Sequence, residues 1–245
     1  GVMDHFIYTA MSGASRSLEQ QQIRANNLSN VNTSGFRSDL DKAASLQVQG
    51  SGYDSRYMVQ SSNGGVDMTP GTLEETGRDL DVGILGSGLI ALQSGGREVY
   101  TRNGHIDVSV DGDLTINGQP VLGEGGPIVL PPFAQVSIAN DGTISIVPQD
   151  GNINALMDVD RIKLVDVPAT SLTKDNSGFL LSANRTEPRS EDISLSSKHL
   201  ESSNVSAIGE MVSSMSLSRG FEAQIKMMKV AEELSQAGNR IMRSA

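Results

Sequence analysis

Residues 98–123 read EVYTRNGHIDVSVDGDLTINGQPVLG, and β-branched runs alternate in them with short turn signals. The turn signals are the pairs Asn103-Gly104, Asp111-Gly112 and Asn117-Gly118. Such pairs favour tight hairpins, because both central residues of a type I′ turn need positive φ, which Asn, Asp and Gly adopt most readily. The stretch therefore predicts consecutive antiparallel strands joined by these turns.

The same pattern continues on both sides of this stretch. Residues 136–147, VSIANDGTISIV, predict a further hairpin, while RIKLVDV at 161–167 and GFLLSA at 178–183 predict later strands. Residues 75–198 are thus predicted to form one mostly antiparallel β domain. Residues 37–74 are rich in Gly and Ser and show little periodicity, so they predict an extended connector with one or two strands.

The two chain ends differ from this centre and predict long helices. All eight prolines lie between Pro70 and Pro188, so neither end contains this helix breaker. Apolar or small residues recur every three or four positions in both ends, which is the helical spacing. We assign residues 1–36 to an N-terminal helix and residues 199–245 to a C-terminal segment whose helix spans roughly 205–243. The predicted fold class is α+β.

Composition excludes several classes of function. The chain has no cysteine, which removes disulfides, thiolate metal sites and cysteine nucleophiles. The formal net charge of −10 argues against binding of nucleic acid. All of that charge lies in residues 36–200, because acids and bases balance in each end. No stretch approaches the roughly 20 apolar residues of a membrane span, so no membrane insertion is predicted. The N-terminus lacks the basic region and apolar core of a Sec-type signal peptide.

No motif indicates catalysis or a cofactor. The glycines of GILGSG, residues 83–88, resemble those of a phosphate loop, but no Lys-Ser/Thr follows, so a strand-turn-strand is favoured. The three histidines, His5, His105 and His199, are far apart in sequence, and no Ser-His-Asp or paired-carboxylate signature stands out. We therefore expect no enzyme activity, no cofactor, no metal site and no small-molecule substrate.

The run RANNLSNVNTSGF, residues 24–36, raises a question about the end of the first helix. One reading is a plain helix terminus, because Asn, Ser and Thr bond their own backbone and Gly35 can take a left-handed turn. The other is a surface that other protein chains contact. Seven of the ten methionines lie in the two ends, which suits either packing against varied neighbours or a helical hairpin that caps the β domain. The residues alone leave both alternatives open.

A family resemblance covers nearly the whole chain. Residues 3–40, MDHFIYTAMSGASRSLEQQQIRANNLSNVNTSGFRSDL, resemble the N-terminus of the bacterial flagellar axial proteins, the rod and hook subunits. The family's ANNLANVNT-GF hallmark appears from Ala25 to Phe36, with Ser29 in the place of the usual alanine. Three later stretches are similar to the same family: RDLDVGILGSGLIAL at 78–92, YTRNGHIDVSVDGDL at 100–114 and LESSNV at 200–205. The MDHFIYTAM opening and the modest length most resemble a proximal rod subunit.

The resemblance implies both an architecture and a role. It implies a domain that pairs the two terminal helices in a coiled-coil-like manner, a connector and an outer β domain, with subunits stacked helically into a tube. It also implies a structural subunit of the flagellar basal-body rod, the shaft that crosses the periplasm and transmits torque. The partners would be copies of this chain and other proximal and distal rod subunits. Export would use the flagellum's own channel, without a cleaved signal peptide. The alternative is a monomeric β-rich binding module with a helical lid.

The predicted assembly interface lies on the terminal segments. It combines the apolar stripes of the two helices with part of the asparagine run. Its members are Ile7, Ala10, Ala14, Leu18, Ala25, Asn27, Leu28, Asn30, Phe36, Ile208, Met211, Met215, Phe221, Ile225 and Met228.

Overall fold

The computed structural model describes residues 2–40, 65–150 and 155–244. Most of the predicted connector, residues 41–64, therefore lies outside the described residues. The chain divides into two compact units. The helical unit contains Gly1–Ser29 and Ser206–Ala245, and the β unit contains Asn30–Val205.

Two long helices form the helical unit. Helix α1 spans Val2–Ser29 and helix α2 spans Ala207–Ser244, and the two pack against each other. The start of α2 is capped by the Ser206 hydroxyl, which accepts a hydrogen bond from the Gly209 N–H at 3.2 Å. The predicted C-terminal helix is observed over Ala207–Ser244, but residues 199–205, which the prediction grouped with it, belong to the β unit and include a strand at His199–Glu201.

Helix α1 ends at Ser29, seven residues before the end that periodicity predicts. The next residues form successive turns, in which the Thr33 N–H donates to the Asn30 carbonyl at 3.0 Å and the Phe36 N–H donates to the Thr33 carbonyl at 3.1 Å. Gly35 follows with φ 70°, a left-handed conformation that stops a helix. Residues 30–36 consequently belong to the compact β unit.

The β unit contains fifteen strands among the described residues, and every pair of neighbouring strands is antiparallel. The first eight are β1 (Leu73–Glu75), β2 (Val82–Leu85), β3 (Leu89–Ser94), β4 (Arg97–Thr101), β5 (Asp107–Val108), β6 (Leu114–Ile116), β7 (Gln119–Pro120) and β8 (Phe133–Ile138). The others are β9 (Thr143–Pro148), β10 (Met157–Arg161), β11 (Leu164–Val165), β12 (Leu172–Lys174), β13 (Leu180–Ser182), β14 (Ser194–Ser197) and β15 (His199–Glu201). A short 3-10 helix, Ala169–Ser171, precedes β12.

These strands build five small sheets. The largest has the order β11-β3-β4-β13-β12, and two three-stranded sheets have the orders β10-β9-β8 and β5-β6-β7. Two further pairs join strands that are distant in sequence, β14 with β2 and β15 with β1. The α+β class is therefore confirmed, with helices from the chain ends and a mostly antiparallel middle.

Strand β3 has a buried core on each face, because its side chains alternate between two hydrophobic clusters. Ile90 and Leu92 join the main cluster, which extends from Leu80 to Leu195, whereas Leu89 and Ala91 join a smaller one. Burial on both faces explains why this segment is continuously apolar instead of alternating with polar residues. Within the described part of the chain, no helix is long and apolar enough to cross a membrane.

Two of the three predicted turn pairs in residues 98–123 join hairpin strands. Asn117 and Gly118 both have positive φ and link β6 to β7, as a type I′ turn requires. The Asp111-Gly112 pair lies in the longer loop between β5 and β6. The hairpin predicted at Asn103-Gly104 is wrong, because the flanking strands β4 and β5 do not pair.

Gly104 serves close packing instead of a tight turn. A Cβ on Gly104 would lie 1.7 Å from the Val82 carbonyl oxygen, a backbone atom that cannot move aside. Only glycine at position 104 therefore allows the main chain to approach β2 this closely.

Candidate assembly interface

The contact between α1 and α2 is made of small and polar side chains. On α1 the buried residues are Ala10, Gly13, Ala14, Ser17 and Asn27, and on α2 they are Glu210 and Ala231. We call these residues, together with the contacting Arg24 and Gln224, the pairing face. Small side chains let two helix backbones approach closely, so this face excludes water with little apolar bulk.

Polar contacts across the pairing face show how the two helices run relative to each other. Near the end of α1, the Asn27 amide donates to the Glu210 carboxylate at 3.2 Å, and Arg24 Nη1 lies 3.4 Å from both Glu210 oxygens. Nearer its start, the Ser17 hydroxyl donates to Gln224 Oε1 at 3.4 Å. Late residues of α1 thus meet early residues of α2, which makes the two helices antiparallel.

Many of the larger apolar side chains of both helices are exposed to solvent. Among the predicted interface residues this holds for Leu18 on α1 and for Ile208, Met211, Met215 and Ile225 on α2. We call these five residues the outer apolar face. Other exposed large apolar residues on the two helices are Val2, Tyr8, Met11, Val212, Met227, Val230, Leu234, Ile241 and Met242.

The structure separates the predicted interface residues into distinct environments. Ala10, Ala14 and Asn27 are buried in the pairing face, while Leu28, Phe221 and Met228 are half-buried on the helices. Ala25 is exposed, and the side chain of Ile7 lies outside the described part of the chain. Asn30 and Phe36 are half-buried in the β unit, so the structure does not gather them with the helical residues.

The segment after α1 is held in the β unit by the segment that follows β15. The Gly35 N–H donates to the Glu201 carbonyl at 2.8 Å, and the Asn204 N–H donates to the Phe36 carbonyl at 3.2 Å. The Asn204 side chain also accepts from the Ser38 N–H at 2.7 Å. Gly35 is required here, because a Cβ would lie 2.5 Å from the Asn103 backbone nitrogen.

A buried ion cluster lies beneath this junction. Glu201 accepts hydrogen bonds from Arg102, whose Nε donates at 2.8 Å and whose Nη2 contacts the other oxygen, and its carboxylate lies 3.2 Å from Arg37 Nη2. All three side chains are about fully buried. Burial lowers the pKa of Arg37, and the Glu201 charge opposes that effect.

The two arginines also join distant loops. Arg37 donates to the carbonyls of Thr69 at 2.6 Å and Ser202 at 2.9 Å, and Arg102 Nη1 donates to the carbonyls of Gly86 and Gly88. Of these four carbonyl groups, the one on Gly88 belongs to a buried residue, so its hydrogen bond to Arg102 satisfies a polar group that water cannot reach. The cluster therefore connects five places in the chain, around residues 37, 69, 86–88, 102 and 201–202.

Lys174 on β12 anchors the same segment from another side. Its ammonium group lies 3.8 Å from the centre of the Phe36 ring and 3.2 Å from the Asp39 carboxylate, and it donates to the Arg37 carbonyl. Burial lowers the pKa of Lys174, while the Asp39 charge opposes the shift. Phe36 thus has a defined role within the β unit.

Asp81 is a second buried carboxylate with several donors. It accepts from the Thr76 hydroxyl at 2.6 Å and from Arg78 Nη1 at 2.7 Å, and it lies 2.8 Å from His105 Nδ1. Burial alone would raise the pKa of Asp81, but these hydrogen bonds outweigh it, so the pKa lies below its ordinary value. Among the described residues, no group of three His, Cys, Asp or Glu side chains is arranged to hold a metal ion.

Sequence reasoning missed the residues that hold the junction together. Arg37, Arg102 and Glu201 lie in stretches singled out for their resemblance, but nothing in a single sequence pairs residues 99 or more positions apart. No local pattern marks them, since Arg37 and Arg102 lie outside the strands and Glu201 ends the short strand β15.

Comparison with known proteins matches both ends of the chain to flagellar rod families. Residues 7–37 match the family described as "Flagella basal body rod protein", and residues 196–241 match "Flagellar basal body rod FlgEFG protein C-terminal". The two matched segments include Arg37 and Glu201, the residues that meet in the ion cluster.

Relatives match over almost the full length. The flagellar basal-body rod protein FlgF of Escherichia coli strain K12 is 39% identical over 248 residues, covering 98% of this chain and 99% of the relative. FlgF of Salmonella typhimurium strain LT2 is also 39% identical with the same coverage. The rod protein FlgG of Bacillus subtilis strain 168 is 30% identical over 254 residues, covering 94% of this chain and 96% of the relative.

Paired terminal helices and a sheet-rich middle define a structural protein of the axial class. The chain belongs to the family of flagellar basal-body rod proteins. The predicted resemblance to rod and hook subunits is thereby confirmed, with full-length relatives named FlgF. The prediction of a structural subunit without enzyme activity is confirmed by the same family, and its members assemble with other rod components.

Proposed function

We propose that this chain is a proximal rod subunit that self-assembles through its terminal helices into the tubular shaft. The helical unit lines the inner tube and the β unit lies outside it. The shaft crosses the periplasm and transmits torque through many helix-helix contacts. Its neighbours are copies of this chain and other proximal and distal rod subunits.

The outer apolar face is the observation that carries this proposal. A long helix in a monomer normally turns its largest apolar side chains inward. Here the buried residues among those described on α1 and α2 are alanine, glycine, serine, asparagine and Glu210, whereas the five residues of the outer apolar face are exposed. Ile208, Met211 and Met215 recur at helical spacing on α2 and are all exposed, and an apolar stripe of this kind favours a protein interface. We infer that neighbouring helices cover it in a coiled-coil-like arrangement, in which Leu28, Phe221 and Met228 join the contact.

The charge distribution supports the same arrangement. The two ends contain equal numbers of acids and bases, so copies of the helical unit can pack without net repulsion. The net charge of −10 lies on the middle of the chain, which suits a solvated exterior and gives no surface for nucleic acid. Membrane insertion and small-molecule binding have no part in this function. The family disfavours the alternative of a monomeric binding module, because full-length relatives are rod proteins.

A charge placed in the outer apolar face tests the proposal. Ile225 is 38% exposed in the chain, so Ile225→Lys leaves the new ammonium group in contact with water in the monomer. In an assembled rod the same group is buried without a partner, which costs on the order of 3–5 kcal/mol. We expect motility to fail while the melting temperature of the purified monomer stays near that of the parent.

Ile225→Met is the matched control, because it keeps an apolar side chain at the same place and should remain motile. Retained motility of Ile225→Lys would refute the assembly role of this face. A fall in monomer stability of roughly 2–5 kcal/mol, the scale of a core truncation, would show that the residue packs within its own chain.

A further inference from the structure

Glu210 is the buried acid of the pairing face. It lies in the first turn of α2 and is 7% exposed, and its carboxylate meets the side chains of Arg24 and Asn27 on α1. Asn27 is fully buried. A carboxylate in such a place is tolerated only when donors surround it, and Arg24 and Asn27 supply them here.

Gln224 makes a second polar contact further along the pair. It lies fourteen residues after Glu210, and its partner Gly13 lies fourteen residues before Asn27. A Cβ on Gly13 would lie 2.5 Å from Gln224 Nε2, so the missing side chain makes room for the amide. Fourteen residues are close to four helical turns, about 21 Å, so both contacts fall on one side of each helix.

The rest of the pairing face does not distinguish one alignment from another. Alanine, glycine and serine present similar shallow surfaces, so sliding one helix along the other by a turn or a heptad changes their packing little. Sliding does move the Glu210 carboxylate away from Arg24 and Asn27 while it stays buried. A polar group at a single buried position of a helix pair is the best-attested device for fixing register.

We propose that Glu210, held by Arg24 and Asn27, locks α1 and α2 into one antiparallel register. The lock is a positioning device, because it acts through the alignment of the helices. A single register sets which residues of α1 lie beside Met211, Met215 and Ile225, and so defines one outer apolar face instead of several. The inference rests on the proposed function in one respect, namely that the outer apolar face is the surface that neighbouring subunits contact.

Disulfide mapping measures the register directly, since the chain has no cysteine of its own. Ser17→Cys with Gln224→Cys joins residues whose side chains touch in the observed register. Ser17→Cys with Leu217→Cys, and Ser17→Cys with Ala231→Cys, report slips of one heptad in either direction. All three full-length pairs are oxidised under the same conditions, with Glu210 present and with Glu210→Leu. Ser17→Cys is common to all three pairs and removes the hydrogen bond to Gln224, so that bond cannot hold the register in any of them.

With Glu210 present, we expect the in-register pair to form at least tenfold more disulfide than either slipped pair. In the Glu210→Leu background this preference should fall to within about threefold. Glu210→Gln keeps the size of the side chain without its charge and should give an intermediate preference. Glu222→Leu, at an exposed acid of the same helix, should leave the preference unchanged.

Three outcomes would overturn the lock: an unchanged preference in both Glu210 variants, equal formation of all pairs when Glu210 is present, or no disulfide in any pair. The mapping uses the purified chain and does not depend on motility. A motile Ile225→Lys variant would therefore reject the assembly role and leave the lock standing, whereas a mixed register would reject the lock alone.

Discussion

Replacing Glu201 by glutamine removes the charge on which the junction cluster depends. The carboxylate accepts from Arg102 Nε and Nη2 and from the Gly71 N–H at 3.1 Å, and it lies 3.2 Å from Arg37 Nη2. A glutamine offers one oxygen in place of two and turns its NH₂ group toward guanidinium donors. Two buried guanidinium groups then lose the carboxylate charge that they share, which costs roughly 3–5 kcal/mol.

Calorimetry of the full chain can measure this loss. For a unit of this size, 1 kcal/mol lowers the melting temperature by roughly 2–4 °C, so Glu201→Gln should melt roughly 6–20 °C below the parent. Glu191→Gln is the matched control, since it makes the same chemical change in a carboxylate that is 66% exposed and pairs with Arg161 at 2.8 Å. An exposed pair contributes about 0–1 kcal/mol, so the control should melt within a few degrees of the parent. Equal shifts for the two variants would refute the importance of the buried cluster.

Three further predictions follow from the β unit. Gly35→Ala should lower the free energy of unfolding by more than the roughly 1–2 kcal/mol that a left-handed alanine costs, because its Cβ meets backbone atoms. Gly77 is the control, since it also has positive φ but lies in open space, so Gly77→Ala should cost only the backbone strain. Equal losses in urea titrations would contradict the packing argument. The folded-state pKa of Asp81 is lowered, so the ionised side chain stabilises the fold above its ordinary pKa of 3.8. At pH 6 the parent should therefore be more stable than Asp81→Asn, and this difference in stability should shrink as the pH falls below about 4 and through the folded pKa. A difference that stays constant to about pH 2.5 would be inconsistent with this linkage. Finally, the fragment 75–198 contains the whole main cluster from Leu80 to Leu195 and should melt cooperatively, and a featureless melting curve would count against its independence.

The sequence predicted best where structure depends on neighbouring residues. The β6-β7 turn follows from Asn117 and Gly118 alone, since their backbone preferences are local. The C-terminal limit of α2 is also predictable from the sequence, because helical spacing and the absence of proline persist to the last turns. The fold class followed from these local patterns without any knowledge of which strands pair.

Prediction from the sequence failed where the local structure or the burial of a residue depends on contacts with residues that are distant in the chain. The Asn103-Gly104 pair carries the same turn signal as its neighbours, yet the glycine is needed for the close approach of Val82, which lies on another strand. Likewise, helical spacing on α1 could not tell whether Ser17 or Leu18 faces the partner helix. Burial of Ser17 and exposure of Leu18 depend on the position of Gln224, some two hundred residues away.

The pairing of β1 with β15 has a consequence for the order in which the chain can fold during synthesis. Leu73 lies opposite Glu201, so the first strand of the β unit has no partner until the last strand has been made. The contacts of Gly35 and Arg37 also cannot form until Glu201 has been synthesised, because their partners are its carbonyl and its carboxylate. Closing so long a loop is entropically costly and slow. The junction is therefore the last part of the β unit to form, and a nascent chain that stops short of residue 201 leaves β1 as an open edge.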